Sequence, residues 1–452
     1  MKDRIQLSDH FTTGRLLKFT YPSIAMTIFL SIYTIIDGIF VSNFAGKDAF
    51  TAVNLIWPFA QLIAAFGFML GSGGSALIAQ MLGRKEQKRA EECFSLIIAV
   101  AFLFALICGM AEISLLPNLA RQVKAEGAVY QNCLVYGRVL FICVPFYTLQ
   151  YVFQSFMIVA EKPKLGLAVT ILAGVLNFVG DYFFIKVMGF GIFGAGIATG
   201  CSQFIGAMLP MLYFLAPNDS LLHFRKFRYD GKFIRDTCVN GISELFSNIS
   251  LSLVTIVYNF QLMKYIGENG VDAYGVIAYV SYVFVASFLG YSSGSAPIVS
   301  YHYGAKNQKE IQNILKKSLG IVAVGAGLMF LLSNLLSKPF ATIFTGYDAE
   351  LLMLSTHALK IYSFYYLFSG FSIYMSGFFT ALGNGPISAV ISFTRTVLFE
   401  ITLVLLLPAV FREDGIWLSP VIAQVLALFV SFGLLLIKNK QYEYLNFRGE
   451  QK

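Results

Sequence analysis

An all-helical integral membrane protein, built from twelve transmembrane helices in two related six-helix lobes, is the fold the sequence predicts, and three observations predict it. Of 452 residues, 57% are hydrophobic and only 13% charged, with a mean hydropathy of +0.69, whereas soluble domains carry roughly 25% charged residues. Long apolar windows recur between polar breaks, each with the roughly 20 residues that cross a bilayer as a helix. A short motif also returns half a chain later: GRKEQK at 83–88 reappears as GAKNQK at 304–309, 221 residues on.

The first span, near 16–42, carries Pro22 and a lone carboxylate, Asp37. It is too long for the core of a secretion signal and lacks a small-residue cleavage site, so it reads as a retained helix. Spans near 51–82 and 92–117 flank the basic GRKEQK turn, and the fourth, near 128–159, holds Arg138. Pro163 opens the fifth, near 164–188, where Asn177 and Asp181 stand one turn apart on one face. The sixth, near 191–216, starts with GIFGAGIA, and a rise of 1.5 Å per residue puts Thr199 about 12 Å below its start. A polar, basic stretch at 217–232 links this lobe, 1–216, to a second, 233–452, with a short cytoplasmic tail. The second lobe has spans near 233–264 with Glu244, 272–303, 312–337, 350–381 with Lys360, 387–410 with Arg395 and Glu400, and 415–438. Other pairs lie within a few residues of that offset: Arg138 with Lys360 at 222, Pro163 with Pro386 at 223, and KDAFTAV at 47–53 with VDAYGVI at 271–277 at 224. Because six is even, both copies enter the membrane from the same side, which predicts a pseudo-two-fold axis along the membrane normal. Two lobes with a cavity between them are the architecture that alternating access requires.

The net charge of +8 marks topology rather than nucleic acid. Twenty-three Lys and Arg fall before the first span, in the alternate loops and after the last span, against seven in the opposite loops. By the positive-inside rule both termini are cytoplasmic, in a multi-pass plasma-membrane protein read as a monomer. Six scattered cysteines form no CxxC pair and read as small packing residues. No DDxxD-like, GxSxG or HExxH motif occurs and the four histidines are dispersed. An enzyme and a bound cofactor are therefore not expected.

Charges inside the membrane narrow the function. A carboxylate at depth costs roughly 2.5–3.5 kcal/mol on insertion scales and tends to face the protein interior or a wet cavity. Asp37 lies five residues before Ser42 and Asp181 five before Lys186, so their depths match. With Asn177 and Thr199 they form a set of oxygens able to hold a small hard cation or share a proton. The plainer alternative is that each polar group satisfies a helix-packing hydrogen bond. Glu244 lies about 18 Å above its helix start, level with Arg395, and either forms a second-lobe site with it or simply pairs with it, with Glu400 as another partner.

Taken together, TYPSIAMT and IIDGIFV in helix 1, the basic turn after helix 2, LNFVGDYFF in helix 5 and GAGIAT in helix 6 resemble the multidrug and toxic compound extrusion family, in its branch with DNA-damage-inducible-type and archaeal members. The resemblance implies secondary active antiport, with export of organic, often cationic, amphipathic compounds driven by inward H+ or Na+. It also implies that Asp37, Asn177, Asp181 and Thr199 form the first-lobe cation site, with Na+ as one candidate occupant, and that Pro22 lets helix 1 bend, since proline removes a hydrogen bond from the ladder. A static kink at Pro22 is the alternative. The acids that some sodium-coupled relatives carry in helices 8 and 10 are missing from SYVFVASFLGYSSG and SFYYLFSGFSIYMSGFF, and Ile158 replaces the usual arginine. Forty-four Phe, 24 Tyr and 13 Met suit a broad apolar cavity, to which Tyr33, Gln154, Met157, Tyr258 and Met263 are assigned. A flippase of lipid-linked oligosaccharide precursors shares this many-helix design. It would call for a strongly basic cavity to hold pyrophosphate, and intramembrane arginines are few.

Overall fold

The computed structural model describes residues 5–346 and 348–445, apart from the Ser252 side chain. Lys2, Arg4, Arg448 and Lys452 of the charge count, with the end of the tail, lie outside the described residues. All regular elements among the described residues are helical. They are α1 (Thr13–Phe40), α2 (Lys47–Gly83), α3 (Gln87–Gln122), α4 (Gly127–Val159), α5 (Pro163–Asp181), α6 (Gly191–Leu215), α7 (Gly231–Tyr265), α8 (Glu268–Gly304), α9 (Gln308–Leu335), a short α10 (Ser337–Thr345), α11 (Ala349–Tyr362), α12 (Tyr365–Ala381), α13 (Gly385–Phe393) and α14 (Glu400–Tyr442). π turns extend α1 over Val41–Ala45 and α5 over Tyr182–Val187, and join α13 to α14 over Thr394–Phe399.

Ten helical stretches among the described residues are long and apolar enough to cross a membrane, and the chain is a multi-pass membrane protein. The difference from twelve lies at two places. The tenth span is interrupted at Ser363 and Phe364, leaving α11 with 14 residues and α12 with 17. The last two spans run together as α14, but Arg412, with φ 52° and ψ −127°, breaks that helix in the polar FREDG stretch. Local chemistry explains the helix starts. Pro163 and Pro386 occupy first-turn positions where no N–H is needed. Asn307, Asn384 and Asp348 cap α9, α13 and α11 through backbone N–H groups.

The repeat is visible in the turns. Gly46 and Gly267, 221 residues apart, enter α2 and α8 at φ 94° and 90°, values that favour glycine. At the same offset, Lys85 and Lys306 turn the chain at φ 63° and 55°.

The chain forms two compact units. The first contains Ala25–Gly241 and the chain end up to Leu7. Its hub is α4, packed by α2, α3, α5 and α6 around a core rich in small residues: Ala52, Ala60, Ala64, Ala105, Ala120 and Ala195. The second contains Ser8–Ile24 and the chain from Ile242 on, with α12 as hub against α8, α9, α13 and α14. Its core is aromatic: Tyr258, Tyr362, Tyr365, Tyr366 and Trp417. α1 and α7 therefore each belong to both units.

Within the first unit, the opening turns of α7 cross α2 with backbone against backbone. A Cβ on Gly241 would lie 1.9 Å from the Met69 carbonyl oxygen, and one on Gly73 would lie 2.2 Å from that of Thr237. Asn240 Nδ2 donates to the Gly73 carbonyl at 3.2 Å. Within the second unit, Gly294 of α8 meets the opening turns of α1 less tightly, with 3.0 Å from a Cβ there to that of Ser23.

Each unit also anchors the segment that leads into its incoming helix through a buried glutamate. In the second unit, Glu310 Oε1 accepts the Phe11 N–H at 2.8 Å and Oε2 lies 2.7 Å from His10 Nδ1. In the first, Glu91 Oε2 accepts from Arg225 Nη1 at 2.9 Å and Oε1 lies 3.4 Å from His223 Nδ1.

Candidate functional site

The first unit gathers four polar side chains at the ends of α1 and α5. Asp181 is the last residue of α5 before its π turn, and Asp37 stands one turn before the π turn of α1. Such turns admit one extra residue, re-aim the side chains around them and are frequent at functional sites. Asn177 is one turn inward of Asp181, and Thr199 projects from α6, which is tied to α5 by Ser202 Oγ donating to the Ala173 carbonyl at 2.8 Å. Asn177, Asp181 and Thr199 are buried, with 1%, 1% and 2% exposure, and Asp37 is half-buried.

The hydrogen bonds tie the four together. In one orientation the Asn177 amide reaches only Thr199 Oγ1, at 3.4 Å. Turned over, it donates to Asp181 Oδ2 at 3.1 Å and accepts from the Thr199 N–H at 3.3 Å. The second orientation satisfies both ends, so it is the one the site favours. The Asp37 carboxyl lies within hydrogen-bonding reach of the Asp181 carboxyl and the Asn177 amide. Asp181 Oδ1 has no protein donor among the described residues. Carboxylates are acceptors only, so two in contact require a proton or a cation between them.

A tyrosine chain leads away from the acids. Tyr33, one turn from Asp37, lies within electrostatic reach of both carboxyls and of Tyr136 and Tyr151. Tyr151 Oη is 2.9 Å from Tyr147 Oη, which donates to Gln61 Oε1 at 2.7 Å. Sequence reasoning missed Tyr136, Tyr147, Tyr151 and Gln61. Spacings of 11 and 4 residues put the three tyrosines on one face of α4, a signal open to the sequence.

The remaining assigned residues are spread out. Pro22 is buried in the part of α1 that packs with the second unit, two residues before the helix passes to the first. Gln154 Nε2 lies 3.5 Å from Thr170 Oγ1, and Met157 is buried against Gly166. Tyr258 sits in the core of the second unit, and Met263 of α7 is exposed. Arg138 and Lys360 are exposed. Arg395 is buried inside the π turn Thr394–Phe399 and bonded to Tyr365. Among the described residues, neither Glu244 nor Glu400 closes an ion pair with it, though its charge acts on both through space. No three Asp, Glu, His or Cys side chains among the described residues converge as metal ligands.

The MatE family model matches the chain twice, at residues 22–183 and 245–406. Among curated proteins, the chain is similar to the multidrug export protein MepA of Staphylococcus haemolyticus (strain JCSC1435), 22% identical over 93% of each chain. Among solved structures, it is similar to a MATE crystallised in complex with MaL6, with a TM-score of 0.92 at 20% identity over 98% of this chain and 100% of that one. It is also similar to an outward-facing multidrug resistance MATE family transporter of the MOP superfamily, with a TM-score of 0.90 at 21% identity over 98% and 99%.

Proposed function

Since the chain belongs to the MatE family, we propose that it is a secondary active antiporter, exporting amphipathic organic cations in exchange for an inward coupling ion. A relative of nearly equal length that is named a multidrug export protein supports the substrate class. The observation that carries the coupling role is the contact between the Asp37 and Asp181 carboxyls, with Asp181 Oδ1 left without a protein donor. Two ionised carboxyls in contact inside a membrane repel each other and have lost their hydration. One positive charge between them removes the repulsion. Two carboxyls within hydrogen-bonding reach of each other can share a proton, so H+ is the coupling ion on this reading, and Na+ at Asp37, Asn177, Asp181 and Thr199 is the competing one.

The mechanism links the charge to helix 1. Pro22 cannot donate to the Lys18 carbonyl, so the ladder of α1 is weakest there, close to where the helix passes from one unit to the other. With the pair deprotonated, α1 is pushed off α5. Protonation from the outer side draws α1 in, bends it near Pro22 and reduces the room left for substrate in the first lobe. Both termini face the cytoplasm in this scheme, and the cell membrane is the site of action. Transport of a fluorescent organic cation into proteoliposomes, with pH and Na+ gradients imposed separately, tests it. A pH gradient is expected to drive uphill movement in wild type. Driving by Na+ alone replaces H+ by Na+, and no uphill movement under either gradient removes the antiport reading.

A further inference from the structure

The proposed coupling role leaves the polar interior of the second unit unused. Arg395 is only 8% exposed, its guanidinium bonds Tyr365, and its Nε has no partner among the described residues. Glu400, at the far end of the same π turn, is half-buried and likewise forms no ion pair among the described residues. Tyr258, Tyr274, Tyr362 and Tyr365 all lie within electrostatic reach of Glu400. Their rings stand in two stacked pairs: Tyr258 with Tyr274 at 5.0 Å and 7°, and Tyr362 with Tyr365 at 4.9 Å and 20°. Tyr258 is buried and its hydroxyl is also unpartnered. Tyr274 and Glu400 are half-exposed, so the cluster has an open side.

Charge and ring faces decide what fits. With Glu244, Glu400 and Arg395 all charged, the cluster carries one net negative charge, and in apolar surroundings that calls for one positive charge from elsewhere. Aromatic faces attract cations, and most strongly desolvated ones. A hard metal ion wants six or so oxygens at about 2.0–2.6 Å, which stacked rings do not offer. An apolar anion would meet Arg395 but also two carboxylates.

We propose that Glu400, flanked by the Tyr258–Tyr274 and Tyr362–Tyr365 pairs and balanced by Arg395, is the site where the second lobe binds a lipophilic organic monocation. The inference rests on the reading of the chain as an exporter of organic cations and adds where the substrate charge is held. The first lobe takes the coupling ion, and the second adds the contact that selects the charge of the cargo.

Equilibrium binding of tritiated tetraphenylphosphonium to the purified full-length protein in detergent tests it. Wild type is expected to bind the phosphonium, and in a separate sample to bind no radiolabelled tetraphenylborate, which has the same shape and opposite charge. Glu400→Gln is expected to weaken binding about tenfold, the loss of one desolvated charge contact, and Tyr258→Leu by about fivefold. Arg395→Gln works in the opposite direction, tightening binding by several-fold. This change of sign separates the site from mere misfolding, because a poorly folded Glu400→Gln protein predicts loss in both variants. Binding by Glu400→Gln within twofold of wild type, weaker binding by folded Arg395→Gln, or binding of tetraphenylborate in its own sample as tight as that of tetraphenylphosphonium overturns the proposal alone. A wild-type protein that binds no organic cation overturns the export reading and the site with it.

Discussion

The two units turn the chain at equivalent positions and differ in what they bury. Gly46 matches Gly267 and Lys85 matches Lys306 in both offset and backbone angle. Yet the first unit packs many alanines around α4 and holds two carboxyls close together, while the second packs tyrosines and tryptophan beside α12 and keeps an arginine whose charge reaches two acids with which, among the described residues, it closes no ion pair. Turns are set by backbone constraints that few residues satisfy. Buried polar groups are set by what they must bind. In a duplicated chain, then, the scaffold is the conservative part and the buried chemistry is free to diverge. Acid against acid suits a group that gains and loses a positive ion, and acid near base inside aromatic rings suits one that selects a charge.

Removing one carboxyl of the first unit is the strongest way to break this contrast. Asp37→Asn or Asp181→Asn is expected to abolish gradient-driven efflux, a loss of about a hundredfold or more, while the protein stays folded and in the membrane. The amide mimics the protonated acid and cannot cycle. Counterflow and uphill transport assays at matched expression give the answer, and near wild-type pumping by Asp37→Asn reduces the pair to packing.

Next in size is the helix crossing. Gly241→Ala drives a methyl into backbone atoms that cannot rotate away and is expected to destabilise by about 3 kcal/mol, whereas Gly294→Ala brings a methyl to 3.0 Å from Ser23 Cβ and 3.2 Å from Thr20 Cα, a squeeze that a shift of a few tenths of an ångström relieves, and loses about 1 kcal/mol. Thermal melting in detergent ranks them. Equal losses mean that the two crossings are equivalent despite the different approach.

A smaller effect tests the division of roles. Glu244→Gln leaves the proposed coupling pair intact, so it is expected to slow transport only by about threefold, through weaker electrostatics around Arg395. Initial rates at equal expression decide, and a loss exceeding that of Asp37→Asn moves coupling into the second lobe.

Much of this was legible in the sequence because it depends on period and composition. Twelve apolar windows and a 221-residue offset leave little choice of architecture. Asp37, Asn177, Asp181 and Thr199 could be placed at one depth by counting 1.5 Å per residue. What counting misses is backbone irregularity. The π turns after Asp37 and Asp181 and around Arg395 have no residue signature, since they arise where packing re-aims a side chain. The break at Ser363 in the tenth span lacks both Gly and Pro. Glu400 read as another partner for Arg395 because a regular helix does not show the π turn that runs from Thr394 to Phe399 just before it. The meeting of Gly73 with Gly241 joins residues 168 positions apart, and neither glycine is distinctive alone.

The smallest expected effect concerns the two buried glutamates that anchor the segments entering α1 and α7. At Glu310, Oε1 takes both the Phe11 N–H and Asn313 Nδ2, at 2.8 Å each, and among the described residues Oε2 faces only His10, whose ring nitrogen can accept as well as donate. A glutamine fits that pattern with its oxygen on Phe11 and Asn313 and its amide toward His10. At Glu91 both oxygens face a fixed donor, Arg225 on Oε2 and Gln87 Nε2 on Oε1, where His223 Nδ1, like that of His10, can accept as well as donate. A glutamine there must turn its amide against one of them, and Arg225 cannot become an acceptor. Glu91→Gln is therefore expected to lose about 1–2 kcal/mol and Glu310→Gln a few tenths, read as melting shifts in detergent at neutral pH. If Glu310→Gln melts lower than Glu91→Gln, His10 binds as the imidazolium, and the anchor in the second unit is the ionic one.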